Sequence, residues 1–280
     1  TGRHDRTQIL PWGNYDDDLR GKPAAMRRRQ TQFYRQLPQD WDAWRELVGL
    51  CYDYTALVDF QIGRLLTRLD ELGLAHNTIV IFTSDHGDMA GSHGGLFDKG
   101  FMYEEAHRVP LIVRWPEQVP AGERREQLVF NMDILPTVLD AAGVADPALD
   151  GQSLLPLLHS PVVPGREGLL LEFHGLYYLY SQRAWISQDG YKYIFTPGDR
   201  DEIYDLNSDP HELHNLLAEG EQIPVADRLR TEMHAAMTQA RDPLRDYLAK
   251  VHGDWRNLSG QPDASRTFDG STSWQSGGTG

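Results

Sequence analysis

The stretch that most restricts the fold runs from Trp41 to Thr83. Between Trp41 and Leu72, apolar residues recur at helical spacing, among them Trp44, Val48, Cys51, Val58, Ile62 and Leu69. Gly73 stops this pattern, as a glycine just past a helix end commonly does. Thr78–Thr83 follows, a short, unbroken, β-branched and apolar run. That is the pattern of a strand buried on both faces, as in a parallel sheet. A long helix, a glycine turn and a buried strand make half of a βαβ unit. The expected fold is α/β, a mostly parallel sheet flanked by helices.

Residues 1–40 show no clear periodicity and read as irregular surface structure with one short helix. After Thr83, Pro110–Arg114 and Leu128–Phe130 read as further strands. Asp133 is placed to cap a helix reaching Ala142 and ended by Gly143. Beyond about residue 160 the pattern changes. Leu169–Phe173, Ser181–Ser187, Tyr191–Thr196 and Glu202–Tyr204 read as strands, with Asp189-Gly190 as a hairpin turn. A small antiparallel sheet results, and a helix from Pro224 to Val251 packs beside it. Three regions are expected: 1–160 as part of an α/β domain, 161–258 as a smaller antiparallel-sheet subdomain with a C-terminal helix, and 259–280 as a disordered tail.

Asp and Glu number 41 against 27 Lys and Arg, a formal charge of -14. That balance disfavours a nucleic-acid surface, which needs clustered Lys and Arg. It leaves room for a small anionic substrate in a local positive pocket. No apolar run reaches the roughly 18 residues of a membrane span. Cys51 is the single cysteine, so no intrachain disulfide forms. This leans towards a soluble protein in a reducing, cytoplasmic compartment. The opening Thr-Gly-Arg-His has neither Met nor the apolar core of a signal peptide.

Chemistry concentrates where the buried strand ends. Ligands of parallel sheets bind at the carboxyl ends of strands. Asp85 and His86 stand there, a carboxylate and an imidazole on one tight turn. Both can face a single cation. Gly87, Gly91, Gly94 and Gly95 permit close backbone approach. His93 and Lys99 add two groups that can donate to an anion. Each residue alone has an ordinary explanation as a turn, core or surface residue. The joint spacing does not: Asp-His-Gly, then Gly91-x-His93, Lys99, Tyr103-Glu104 and Arg108-Val109-Pro110.

On these residues the chain resembles the sulfatase family of the alkaline phosphatase superfamily. The matching run is TIVIFTSDHGDMAGSHGGLFDKGFMYEEAHRVPLIVRWP, residues 78–116. VFNMDILPTVLDAAGV (129–144), DGQSLLPLL (150–158), GYKYIF with DEIYDLNSDPHELHNL (190–216) and IGRLLTRLDELGL (62–74) extend it over most of 45–216. The resemblance implies an alkaline-phosphatase-like fold and hydrolysis of a sulfate ester. It implies Asp85 and His86 as two ligands of a divalent metal, Lys99 on the sulfate oxygens and His93 near the ester, the last two stabilising developing charge. Tyr103, Glu104 and Arg108 are expected to be structural and His107 to be a helix surface residue. His174 is expected to border the pocket from the second subdomain.

The family's nucleophile is a formylglycine made in a C/S-x-P-x-R motif, which the chain lacks. Cys51 precedes Tyr-Asp-Tyr-Thr and reads as a core thiol. Ser208-Asp209-Pro210 has Glu212 where Arg is required and reads as a turn. Asp16-Asp17-Asp18 follows no buried strand and reads as a solvated acidic turn. The expectation is the C-terminal part of a longer sulfatase, with formylglycine and further ligands in the remainder and no turnover by this chain alone. The family metal is calcium; His86 suits manganese better, so Ca²⁺ stands first and Mn²⁺ second. Two other readings remain: a phosphonate monoester or phosphodiester hydrolase of the same superfamily, and an inactive sulfatase-like binding module.

Overall fold

The computed structural model describes residues 4–28, 36–144, 148–175, 180–218 and 224–252, so the expected tail lies outside the described residues. After a short 3-10 turn at Arg6–Gln8, the chain forms α1 (Ala24–Arg28) and then α2 (Trp41–Glu71), the long helix. Asp40 caps α2 by accepting from Ala43 N, and Gly73, left-handed at φ 68°, ends it. β1 (Val80–Thr83) follows, then the single turn α3 (Ser92–Gly95), α4 (Glu104–His107) and β2 (Leu111–Arg114). α5 (Ile134–Ala141) and α6 (Leu155–His159) lead to the strands β3 (Gly168–Phe173), β4 (Gln182–Ser187), β5 (Tyr191–Phe195) and β6 (Glu202–Asp205). The described chain closes with α7 (Pro224–Gln239) and α8 (Arg245–His252).

β3 to β6 form the expected antiparallel sheet in sequential order, with Gly190 at φ 89° in the turn between β4 and β5. Its residues alternate between faces, and both faces are covered. Trp185, Tyr193, Phe195 and Ile203 meet Leu229, Met233 and Met237 of α7 and Leu248 of α8. Ala184, Ile194 and Tyr204 meet Leu19 and Met26 from the N-terminal segment, and Met89, Leu96 and Phe101 from the loop after β1. The two sides of residue 160 thus share a core.

Several expectations are corrected. β1 pairs antiparallel with β2, Val80 opposite Arg114 and Thr83 opposite Leu111, and no parallel pair occurs among the described residues. With one strand neighbour each among the described residues, β1 and β2 leave Phe82 and Ile112 42% and 60% exposed. Leu128–Phe130 is not a strand. Asp133 does not cap α5 with its side chain. Its buried carboxylate instead accepts from Phe130 N at 2.7 Å and Gln152 N at 2.9 Å, and pairs with Arg166. The expected helix from Pro224 breaks into α7 and α8, because Arg241 adopts φ 55° and Pro243 cannot donate a helical hydrogen bond.

Candidate functional site

β1 ends at Thr83, and the backbone turns at Ser84. Asn131, just before α5, fixes this turn: its amide nitrogen donates to Ser84 O at 2.8 Å, and its side-chain oxygen accepts from Thr83 Oγ1 at 3.2 Å. Ser84 Oγ donates to His86 O at 2.7 Å. Gly87 N donates to Ala106 O at 2.8 Å, which docks the turn on α4. A Cβ at Gly87 would lie 1.9 Å from Glu105 O, so only glycine fits here.

This turn presents Asp85 and His86. The His86 ring places Nδ1 2.7 Å from Gly87 O, a contact that requires the proton on Nδ1. Nε2, the other ring nitrogen, faces an ammonium and so acts as the acceptor. That nitrogen lies 2.9 Å from the Lys99 ammonium and 3.6 Å from Asp85 Oδ2. The Asp85 side chain is 87% exposed, and Lys99 is exposed as well. Three of the residues singled out from the sequence thus meet: a carboxylate, an imidazole whose Nε2 accepts from Lys99, and an ammonium. The first two form a donor set that a divalent cation can use. A backbone carbonyl holding the other ring nitrogen is the usual way to orient a metal-binding histidine.

Lys99 reaches this point through a tightly folded loop. Met89 N donates to Asp98 O at 3.0 Å and Gly91 N to Leu96 O at 2.8 Å, so residues 89–98 double back. The reversal forces left-handed backbone at Ala90, Gly91, His93, Gly94, Gly95 and Asp98.

His93 does not join the half-site. Its side chain is fully buried beneath the loop and stacks on Tyr103 at 4.2 Å. Nδ1 lies 2.7 Å from Asp17 Oδ2; Nε2 lies 3.0 Å from Asn14 Nδ2 and 3.5 Å from Glu105 Oε2. The expectation that His93 touches the ester is corrected: both ring nitrogens are occupied inside the protein. Burial disfavours a charged imidazole, but the hydrogen bonds to Asp17 and Glu105 outweigh it and raise His93 above its ordinary range.

Asp17 is corrected with it. Its carboxylate is buried rather than solvated, lies 3.6 Å from Lys22 Nζ and accepts from Leu19 N at 2.8 Å. Burial opposes its ionisation, yet the His93 hydrogen bond and the Lys22 charge hold it below the usual carboxylate range. Burial likewise opposes ionised Glu105, but His93 and Asn14 bring it down to about 2. The sequence carried one partial signal for this arrangement, the Asp16–Asp18 run; nothing marked Asn14 or Glu105 as partners of His93.

The remaining candidates are structural or peripheral. Tyr103 donates to Glu202 at 2.8 Å, and Glu104 lies 3.1 Å from Lys192. Arg108 is exposed, 3.9 Å from Glu104. His107 is not on the surface as expected: burial, then the Lys192 charge, lower it to about 3. His174 is exposed, 3.7 Å from Glu172. Nearby, Tyr180, whose backbone oxygen lies close to Gly175, donates its hydroxyl to Gly100 O. Cys51 is exposed rather than a core thiol. Ser208–Pro210 forms the expected turn, with Asp209 accepting from Leu213 N and His214 N.

Two family models match the chain: Sulfatase over residues 20–144, and N-sulphoglucosamine sulphohydrolase, C-terminal, over residues 91–239. The N-acetylglucosamine-6-O-sulfatase of Bacteroides thetaiotaomicron is 36% identical over 203 residues, covering 68% of this chain and 36% of that protein. Steryl-sulfatase of Mus musculus is 31% identical, covering 76% and 41%. Among solved structures, BT4656 in complex with its substrate D-glucosamine-2-N,6-O-disulfate aligns with a TM-score of 0.72 at 26% identity, covering 85% of this chain and 61% of that one. The phosphonate monoester hydrolase of Agrobacterium radiobacter aligns at 0.60 and 28% identity, covering 72% and 42%. The chain spans from about a third to under a half of the curated relatives it matches.

Proposed function

The chain belongs to the sulfatase family of the alkaline phosphatase superfamily, and on that premise we propose that it supplies one half of a centre that hydrolyses a sulfate ester. One observation carries the reading: Asp85, His86 and Lys99 converge at the carboxyl end of β1, with the Lys99 ammonium 2.9 Å from His86 Nε2. A cation-binding pair beside a fixed positive charge suits a substrate whose anionic head bridges the two. Asp85 and His86 would hold the metal; Lys99 would bind sulfate oxygens and stabilise charge as the S–O bond breaks. Bound there, the metal would neutralise sulfate charge and polarise the ester. Calcium is proposed first and manganese second, since His86 contributes nitrogen to an otherwise oxygen-rich set. His174 is proposed to border the leaving group, since Tyr180, close to Gly175, bonds Gly100 beside Lys99. The substrate class is a sulfated small molecule or sugar.

His93 takes a positioning role. Anchored to Asp17 and Glu105, it holds the reversal at 89–98 that delivers Lys99 to His86. Two protein ligands are too few for a tight divalent site, so this chain alone is expected to turn over no aryl sulfate. The test uses the longer protein in which these residues are completed. Lys99→Ala there should lower kcat/KM for an aryl sulfate at least about 100-fold, roughly 3 kcal/mol, as loss of one preorganised charge does. Unchanged kinetics would remove Lys99 from the reaction. The structural likeness to a phosphonate monoester hydrolase supports a second reading. Relative rates on a sulfate ester and a phosphonate monoester separate the two.

A further inference from the structure

A cavity of about 540 Å³ opens beside the loop 88–97, away from the residues assigned to the ester. Its walls are Trp12, Trp44, Tyr52 and Phe97, with Leu47, Val48 and Met89 between them. Two glycines make room for it. A Cβ at Gly13 would meet the His211 ring at 2.4 Å, and one at Gly91 would meet the Trp44 ring at 2.8 Å. Trp12 is held in place by donating its indole N–H to Ala90 O at 2.8 Å.

The polar lining of this cavity combines two carboxylates with Asn14, Tyr52 and the His211 ring. Asp88 and Glu105 line it, and no Lys or Arg does, in a chain with 27 of them. Asn14, 1% exposed, also lines it, and its Oδ1 accepts no hydrogen bond among the described residues. Glu105 Oε2, also buried, has His93 Nε2 3.5 Å away as its partner. Orphaned buried acceptors are costly and are ordinarily satisfied by a donor or cation. Aromatic faces attract cations, and they do so most strongly when water is excluded.

From these walls and acceptors we infer a second binding site, for a compact organic ammonium group, primary or quaternary. It is opposite in sign to the Lys99 half-site, and it stands whether or not the ester reading does. The aromatic rings take the apolar shell of the ligand, and Asp88 and Asn14 Oδ1 take its charge. An anion is excluded by the two carboxylates. An uncharged apolar group would leave Asn14 Oδ1 unpaired.

Cys51 provides the test, since it lines the cavity, is exposed and is the only thiol of the chain. Its alkylation by iodoacetamide is timed with tetramethylammonium, with tert-butanol of matching size, and with sulfate. Tetramethylammonium should protect Cys51 at concentrations about 10-fold below those tert-butanol needs, about 1.4 kcal/mol of preference for charge. Asp88→Asn should reduce that preference at least about 3-fold while leaving protection by tert-butanol unchanged; it also keeps the test informative if Glu105→Gln fails to fold. Equal protection by the two probes would leave only an apolar cavity and overturn the inference. Protection by sulfate, no protection by either probe, or a Cys51 that reacts only after denaturation would overturn it too.

Discussion

The pair His86 and Lys99 works because each residue is constrained from behind. Gly87 O holds one imidazole nitrogen, and the folded loop aims the ammonium at the other. His93, Asp17 and Glu105 supply the constraint on the loop, and they titrate. Glu105 is lowered from 4.5 to about 2, so its stabilising contribution exists above 4.5 and fades as pH falls towards 2. Glu105→Gln should flatten the acid limb of stability between those values by about 2 kcal/mol, read from urea unfolding at a series of pH values. An unchanged slope would remove Glu105 from the acid response. His93 is raised, so its contribution is complete below its unfolded value near 6.5 and is lost as pH climbs through the folded one. Asp85, His86 and Lys99 were legible in the sequence, because their contacts are local and follow a strand end. The burial of His93 was not, because its partner Asp17 lies 76 residues away, in a segment without periodicity.

Among the elements, the turn after β1 is the least tolerant of change. At Gly87 an added methyl would overlap the carbonyl of Glu105, backbone against backbone, with no flexible side chain to yield. Gly87→Ala should cost at least about 3 kcal/mol, measured as a lowered unfolding midpoint, with Gly63→Ala in α2 costing nothing because its Cβ meets nothing within 4 Å and its backbone is helical. Equal losses would show that crowding at Gly87 is relieved. The C-terminal meander was read almost to the residue, since alternation and the Asp189-Gly190 turn specify strand, register and reversal together. β1 was read as a strand but not in its pairing. Its uniform apolar run records burial on two faces, whereas the described structure provides one antiparallel neighbour.

Over the whole molecule, apolar surface is distributed unevenly. The C-terminal sheet is covered on both sides, yet α2 leaves Leu57 53% and Leu65 72% exposed, and α5 leaves Leu135 54% exposed. Exposed apolar surface of this kind drives association. The isolated chain should therefore sediment as concentration-dependent oligomers, and Leu57→Lys with Leu65→Lys should shift it towards monomer; sedimentation unchanged by the pair would place the contact elsewhere. The covered sheet has its own consequence, which concerns time. Lys22 is bound to Tyr204 and to the backbone of Glu212, which lies 190 residues later. A ribosome making about 5–20 residues per second delivers that partner some ten seconds or more after Lys22. Until then the segment around Lys99, already synthesised, has no floor to rest on. A nascent chain stalled before Glu202 should be cut by protease within residues 88–105, and one released past Asn215 should resist. The order in which the ribosome hands over the parts makes the loop that carries Lys99 one of the last features to set.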